Sequence, residues 1–226
     1  MRGLKKINFV VGTLKKSYPQ EKGQIRLYFE DEASFGRISE PKYCWCAKGV
    51  RPVVHSQRVR EYREVFGAVA PWDGEFVYAI EEKEEQGKRK RGRPKKGEVA
   101  DSLKPKPKEK GRKSRLFNKF LQQLSDKHPN DEIVCCLDGA WWHRSQYTKV
   151  PDNIYLVFIP PYTPEMNPIE QIWREIRTLF GNKNFNSIAD VIATLHTTIA
   201  AIPPETFMSI TQRDWIMNPN YWLTIT

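Results

Sequence analysis

The chain has 226 residues, 39% apolar and 28% charged, which suits one large domain or two small ones with a real core and excludes a disordered tail. No apolar run approaches the roughly 18 residues of a membrane helix, and the opening Met-Arg-Gly-Leu-Lys-Lys leads into too short an apolar stretch for a signal peptide, so a cytoplasmic protein is expected, with no membrane partner. The formal net charge is +10, and residues 83–115 alone hold fifteen Lys/Arg against five Asp/Glu, which leaves the rest of the chain neutral. Four cysteines fall as Cys44-Trp-Cys46 and Cys135-Cys136; neither pair has the two-residue gap of a zinc knuckle or redox dithiol, so reduced, mostly buried thiols are expected.

Residues 25–31 alternate, with Ile25, Leu27, Phe29 and Asp31 on one face and Arg26, Tyr28 and Glu30 on the other; this predicts a strand with a carboxylate at its end. A short strand is expected at 43–46, before the turn signal Lys48-Gly49, and another at 65–70, stopped by Pro71-Trp72-Asp73-Gly74. Residues 76–80 return as its hairpin partner, so these strands form an antiparallel meander. Residues 83–115 follow, with only Val99, Ala100 and Leu103 as aliphatic side chains among glycines and prolines, and they read as an extended, solvated, polycationic loop. The period then becomes helical at Leu116, Phe117, Phe120, Leu121 and Leu124, and His128-Pro129-Asn130 ends it.

Residues 133–137 are an unbroken apolar run, as in a strand covered on both faces, and they stop at Asp138-Gly139. Trp141, Trp142 and His143 lead to a second buried strand at 154–159, which Pro160-Pro161-Tyr162-Thr163-Pro164 breaks. Asn167-Pro168 opens a helix whose stripe is Ile169, Ile172, Trp173, Ile176, Leu179 and Phe180, closed at Gly181. A further helix spans about 187–201, and the aromatic tail with Trp215, Tyr221 and Trp222 shows no period. This order describes an α/β protein with a mixed sheet, an antiparallel meander plus parallel strands flanked by helices, and it matches the ribonuclease H-like architecture.

Asp31, Asp138 and Glu170 stand where predicted elements end or begin. Ligands of open α/β sheets gather at the carboxyl ends of strands, and crowded carboxylates suit a pair of magnesium ions in a two-metal phosphoryl-transfer centre. Each has a plainer reading as well: an Asp after a strand is a turn former, and Glu170 three residues after Asn167 fits a capping box.

The words around these residues are more specific. Leu-Tyr-Phe-Glu-Asp-Glu-Ala-Ser-Phe-Gly (27–36), Cys-Leu-Asp-Gly-Ala-Trp-Trp-His-Arg-Ser (136–145) and Pro-Pro-Tyr-Thr-Pro-Glu-Met-Asn-Pro-Ile-Glu-Gln-Ile-Trp (160–173) resemble the catalytic blocks of bacterial insertion-sequence transposases of the mariner superfamily, which are DDE endonucleases. Trp45 with Lys48-Gly49 and Pro52, and Gly67-Ala68-Val69, resemble its intervening strand motifs. The resemblance implies that Asp31, Asp138 and Glu170 are the catalytic and metal-holding triad, with two Mg ions or Mn as substitute. It implies cutting at element ends and joining to target DNA by a homodimer on DNA, in a protein associated with the nucleoid when bound. Glu32 and His143 are candidates to orient the site from behind the ligands, although beside two tryptophans His143 also fits a packed, backbone-bonded imidazole.

The sequence departs from the family in three places. Asp138 and Glu170 are separated by 31 residues, slightly fewer than in the best-known mariner relatives, and residue 139 is Gly where Asn is frequent. Family members carry helix-turn-helix units before the first catalytic strand, and only 24 residues stand there here. The expected organisation is a lead-in at 1–24, a catalytic domain at 25–205 interrupted by the basic insertion at 83–115, and an aromatic tail at 206–226. A separate helix-turn-helix chain would then supply end recognition. The rival readings are a catalytically silent DNA-binding remnant or partner subunit, and a nuclease that hydrolyses without joining. Within the insertion, Lys90, Arg91, Gly92, Arg93, Pro94, Lys95 and Lys96 resemble an AT-hook, whose Arg-Gly-Arg-Pro core lies in a narrow A/T-rich minor groove; a solvated linker is the plainer reading.

Overall fold

The computed structural model describes residues 7, 11–13, 23–39, 42–53, 55–81, 112–161 and 163–217. Five strands, β1 (Ile25–Ile38), β2 (Arg58–Ala70), β3 (Glu75–Ile80), β4 (Glu132–Leu137) and β5 (Ile154–Phe158), form one sheet in the order β3-β2-β1-β4-β5. β1, β2 and β3 are antiparallel, whereas β4 and β5 run parallel to β1, which is the mixed sheet expected. The helices are α1 (Arg112–Lys127), α2 (Ile169–Leu179), α3 (Ile188–Ala200), α4 (Pro204–Thr211) and α5 (Asp214–Met217), with single 3-10 turns at Trp141–Arg144 and Pro164–Met166.

Strand alternation divides the core into two layers. Leu27, Phe29, Val134 and Cys136 point to the face covered by Ile172 and Ile176 of α2, Leu195 of α3 and Phe207 of α4. Tyr28, Ile133, Cys135 and Leu137 point to the other face, which α1 covers with Phe117, Phe120, Leu121 and Leu124, all fully buried. Each such side chain contributes roughly 1.5–3 kcal/mol on burial, so α1 is held by its apolar stripe despite having no acidic residue in its first turn. Ile7 and Val11 are buried in the first layer.

Several local expectations are corrected. β1 does not end at Asp31, because β2 is long enough to pair with it from Phe29↔Val69 to Ile38↔Arg58. What ends near Asp31 is the pairing with β4, which runs from Ile25↔Glu132 to Phe29↔Cys136. Residues 43–46 are not a strand: Tyr43 and Trp45 are fully exposed, no strand lies beside them among the described residues, and Cys44 and Cys46 are exposed while only Cys135 and Cys136 are buried. α2 is not closed by Gly181; Phe180 keeps right-handed helical backbone and Asn182 takes the left-handed position with φ 58°, as short polar residues tolerate. The tail contains the short helices α4 and α5. Finally, residues 112–115, read as part of the solvated loop, form the first turn of α1. Ser114 is fully buried, with its Oγ donating to the Trp142 carbonyl at 3.0 Å.

At the amino end of β4, acids meet bases. Arg26 Nε reaches Asp131 at 2.6 Å and its Nη1 reaches Asp73 at 3.1 Å, while Glu75 meets Lys127 at 2.5 Å, His128 at 2.9 Å and the Tyr28 hydroxyl. Burial works to raise the Glu75 carboxyl, but the Lys127 and Tyr28 hydrogen bonds outweigh it and hold Glu75 below the usual carboxylate range.

One glycine fixes the spacing between sheet and helix. Gly67 lies opposite Asp31 in the β1–β2 ladder, and a Cβ there would stand 2.6 Å from the Trp173 ring and 3.0 Å from Phe76. Trp173 lies one helical turn after Glu170 on α2, so its close seat on β2 sets how near Glu170 comes to β1. Gly67→Ala should cost about 1–3 kcal/mol by overpacking, read as a lower denaturation midpoint, and should impair the site at Asp31 and Glu170 more than Gly49→Ala, which strains a left-handed backbone (φ 87°) but meets nothing within 4 Å.

Candidate active site

Asp31 shares the sheet face of Leu27 and Phe29, and Asp138 that of Val134 and Cys136. Because Phe29 pairs with Cys136 in the parallel ladder, Asp31 and Asp138, each two residues on, lie level just past the end of β4. Glu170 reaches the same place from the first turn of α2. The anchor of that turn is Asn167, which does not cap the helix: α2 begins after Pro168 with no side-chain cap, and the buried Asn167 Nδ2 instead donates to the Glu30 carbonyl at 2.8 Å. The Asn-Pro word therefore ties the start of α2 to the backbone beside Asp31, and the capping-box reading of Glu170 does not hold.

The electrostatics record the convergence. Burial, the charge of Glu32 and then those of Glu170 and Asp138 push the Asp31 carboxyl up to about 7, against the lowering effect of the Glu32 backbone N–H. Burial and the nearby Glu165 raise Glu170 as well. Asp138 is the most open of the three, its side chain 61% exposed, and its Oδ1 accepts from the Ala140 N–H at 2.9 Å. Asp31, Glu32 and Glu170 line a cleft of about 290 Å³ together with Trp173 and the cations Lys42, Arg174 and Arg177. Carboxylates crowded without a cation between them take up protons or bind a hard metal ion. The oxygen donors of Asp31, Asp138 and Glu170 fit Mg or Mn, and the neighbouring Lys and Arg side chains suit a phosphodiester.

Glu32 and His143, the two orienting candidates, lie on the opposite face of β1. The Trp142 indole N–H donates to Glu32 Oε1 at 2.5 Å, and His143 Nε2 lies 3.2 Å from the same oxygen. His143 Nδ1 is 3.1 Å from Asp138 Oδ1 and 3.3 Å from its carbonyl. His143 is thus both a packed imidazole, 3% exposed against Phe117, and a contact of Asp138. Sequence reasoning missed Glu30, fully buried on this side, because it sits at an interior-facing strand position with no motif of its own. It also missed Lys42, Arg174 and Arg177, which read as ordinary surface charge. The AT-hook-like residues 90–96 lie outside the described residues.

A five-stranded mixed sheet of this order, with carboxylates at the edge where its parallel strands end, is a ribonuclease H-like fold. Residues 99–192 match the family of DDE superfamily endonucleases. Asp138 and Glu170 fall inside that match and Asp31 precedes it. The chain is similar in structure to the Mos1 transposase paired-end complex with left transposon end (TM-score 0.58, 15% identity), and to the Mos1 mariner paired end complexes with Mn (0.58, 15%) and with Mg (0.55, 16%). Each covers 98% of this chain, which spans 59% of the Mos1 chain. At that identity the likeness is one of fold. The uncharacterized protein y4pE/y4sA of Sinorhizobium fredii (strain NBRC 101917 / NGR234) is 39% identical over 87 residues, covering 36% of this chain and 63% of that protein. No described helix is long and apolar enough to cross a membrane.

The raised Asp31 carboxyl has a consequence for stability without metal. The native state holds its proton more tightly than the unfolded chain, so its contribution is fully present below about pH 4 and is lost as pH rises toward about 7. Urea midpoints of the metal-free protein should fall across that window, and Asp31→Asn should flatten the fall.

Proposed function

We propose that this chain is the catalytic part of a transposase, with Asp31, Asp138 and Glu170 acting together as divalent-metal ligands for cutting and joining DNA. The observation that carries this reading is the convergence of three carboxylates from β1, β4 and α2 at one edge of the sheet, where burial and mutual charge raise Asp31 to about 7. A pair of Mg or Mn ions held there supplies charge stabilisation and an activated oxygen nucleophile. Asp31 is fixed by the β1 backbone, Asp138 by its own turn and His143, and Glu170 by the Asn167 anchor. Lys42, Arg174 and Arg177 line the cleft beside Asp31 and Glu170 and hold the phosphodiester backbone of the strand being cut. The Mos1 complexes with transposon-end DNA, Mn and Mg support DNA and a divalent ion as the ligands of this fold.

The 226 residues match only 59% of the Mos1 chain. End-specific recognition by helix-turn-helix units, on the same or a separate polypeptide, and pairing of two catalytic chains on DNA belong to the same proposal, as does a nucleoid location. Of the basic insertion at 83–115, the part ahead of α1, residues 83–111, acts as a DNA-contacting arm, supported by its twelve Lys/Arg against five Asp/Glu.

Magnesium- or manganese-dependent nicking of end-bearing DNA is the test. Asp138→Ala should lower the rate by on the order of 10³-fold or more, since several kcal/mol of transition-state stabilisation are lost; equal rates for both proteins would overturn the assignment. Deleting residues 83–111 should keep nicking of a short oligonucleotide and flatten the slope of log K against log[salt], by about 0.9 for every phosphate no longer neutralised. Arg91→Ala with Arg93→Ala should abolish any preference for A/T-rich duplex while leaving most of the salt dependence. An unchanged slope in the deletion would reduce the segment to a linker.

A further inference from the structure

On the face of β1 turned away from Asp31, three potential ligands converge: a carboxylate oxygen each from Glu30 and Glu32 and a nitrogen of His143, all within 4.8 Å of one another. Glu30 is fully buried, and neither of its carboxylate oxygens has a hydrogen-bond partner. A buried carboxylate is strongly disfavoured in that state unless a cation meets it or it takes up a proton.

The imidazole narrows what that something is. His143 Nδ1 faces two oxygens of Asp138, at 3.1 and 3.3 Å, both of them acceptors. Nε2 faces Glu32 Oε1 at 3.2 Å and Glu30 Oε2 at 3.8 Å, which are acceptors again. A proton on Nε2 bonds Glu32 and leaves Glu30 bare. A cation seated among the three satisfies all of them.

We propose that Glu30, Glu32 and His143 form a second binding site, for a first-row transition-metal dication, on the α1 side of β1; it adjoins the Asp31–Glu170 cleft, which Glu32 also lines, and touches Asp138 through His143. Ligand atoms around a four-coordinate ion of this class are roughly 3.4 Å apart, close to the 3.2 and 3.8 Å found. One imidazole nitrogen with two carboxylates suits zinc or manganese better than magnesium. Two carboxylates against a dication leave the pocket neutral, as its burial requires. The surroundings are those of a metal-bound histidine, whose other ring nitrogen is oriented by a carboxylate, here Asp138. The Trp142 indole N–H, at 2.5 Å, holds Glu32 in place. The bound ion would thereby fix His143 and, through it, Asp138.

Zinc retention by the full 226-residue chain tests this independently of any DNA chemistry. In a background of Asp31→Asn with Glu170→Gln, which removes two of the three carboxylates of the cleft, equilibrium dialysis followed by elemental analysis should find one zinc per chain, retained against millimolar magnesium. Adding Glu30→Gln, which keeps the side-chain shape and removes the buried charge, should weaken retention by on the order of 100-fold, as should His143→Gln. No retained zinc in the background would overturn the proposal. Equal retention with Glu30→Gln would do the same and would leave Glu30 as a protonated carboxyl. Should either variant fail to fold by circular dichroism, an anomalous peak at the zinc edge in crystals of the background protein decides: a peak among Glu30, Glu32 and His143 sustains the site, and none there refutes it.

Discussion

The register between β1 and β4 is the constraint on which the rest of the molecule depends. Pairing Phe29 with Cys136 puts Asp31 and Asp138 level and on one face, which concentrates negative charge where no β4 backbone remains to pair. The sheet is polarised as a result. At the amino end of β4, Arg26, Lys127 and His128 answer Asp131 and Glu75, and the acids there are held below their ordinary range. At the carboxyl end the acids answer one another, and Asp31 and Glu170 rise. One end consumes its charge for stability, and the other keeps it for a ligand.

Alternation along β1 makes that strand a partition. Glu30, Asp31 and Glu32 are consecutive, yet Asp31 faces α2 and its neighbours face α1. The helices on both sides are tied to the partition by polar contacts: Asn167 on one side through the Glu30 carbonyl, and Trp142 with His143 on the other through Glu32. Trp142 is itself held by α1, with its carbonyl accepting from Ser114 and its ring under Lys113 at 4.2 Å. Packing of α1 and geometry at Asp138 are therefore coupled through a few short contacts, with His143 as the link between the two faces.

Much of this was legible in the chain, for physical reasons that differ by element. The buried strands β4 and β5 and the stripes of α1 and α2 announce themselves because burial on one or both sides imposes a period. Asp31, Asp138 and Glu170 were legible because each borders a predicted element and lies in a word resembling a known family. Strand length was not: whether β1 stops at Asp31 or continues to Ile38 depends on how far β2 extends beside it, a non-local matter. The short apolar run at 43–46 misled because a strand needs a neighbour, and no strand lies beside Tyr43 and Trp45 among the described residues. Glu30 was invisible for the opposite reason, since an acid next to Asp31 and Glu32 looks like one more solvated charge until α1 covers it.

Both roots of the basic insertion meet at one residue. The Glu81 backbone N–H donates to the Glu64 carbonyl at 2.8 Å, and Lys113 Nζ pairs with Glu64 Oε1 at 3.0 Å. Residues 81 and 113 are thus held together at a single neck on β2. Doubling a segment pinned in this way adds only about 0.6 kcal/mol of closure entropy. Length and composition between those roots are free to drift or to be exchanged for a foreign module with little thermodynamic penalty to the sheet, which makes this neck the natural insertion point of the domain.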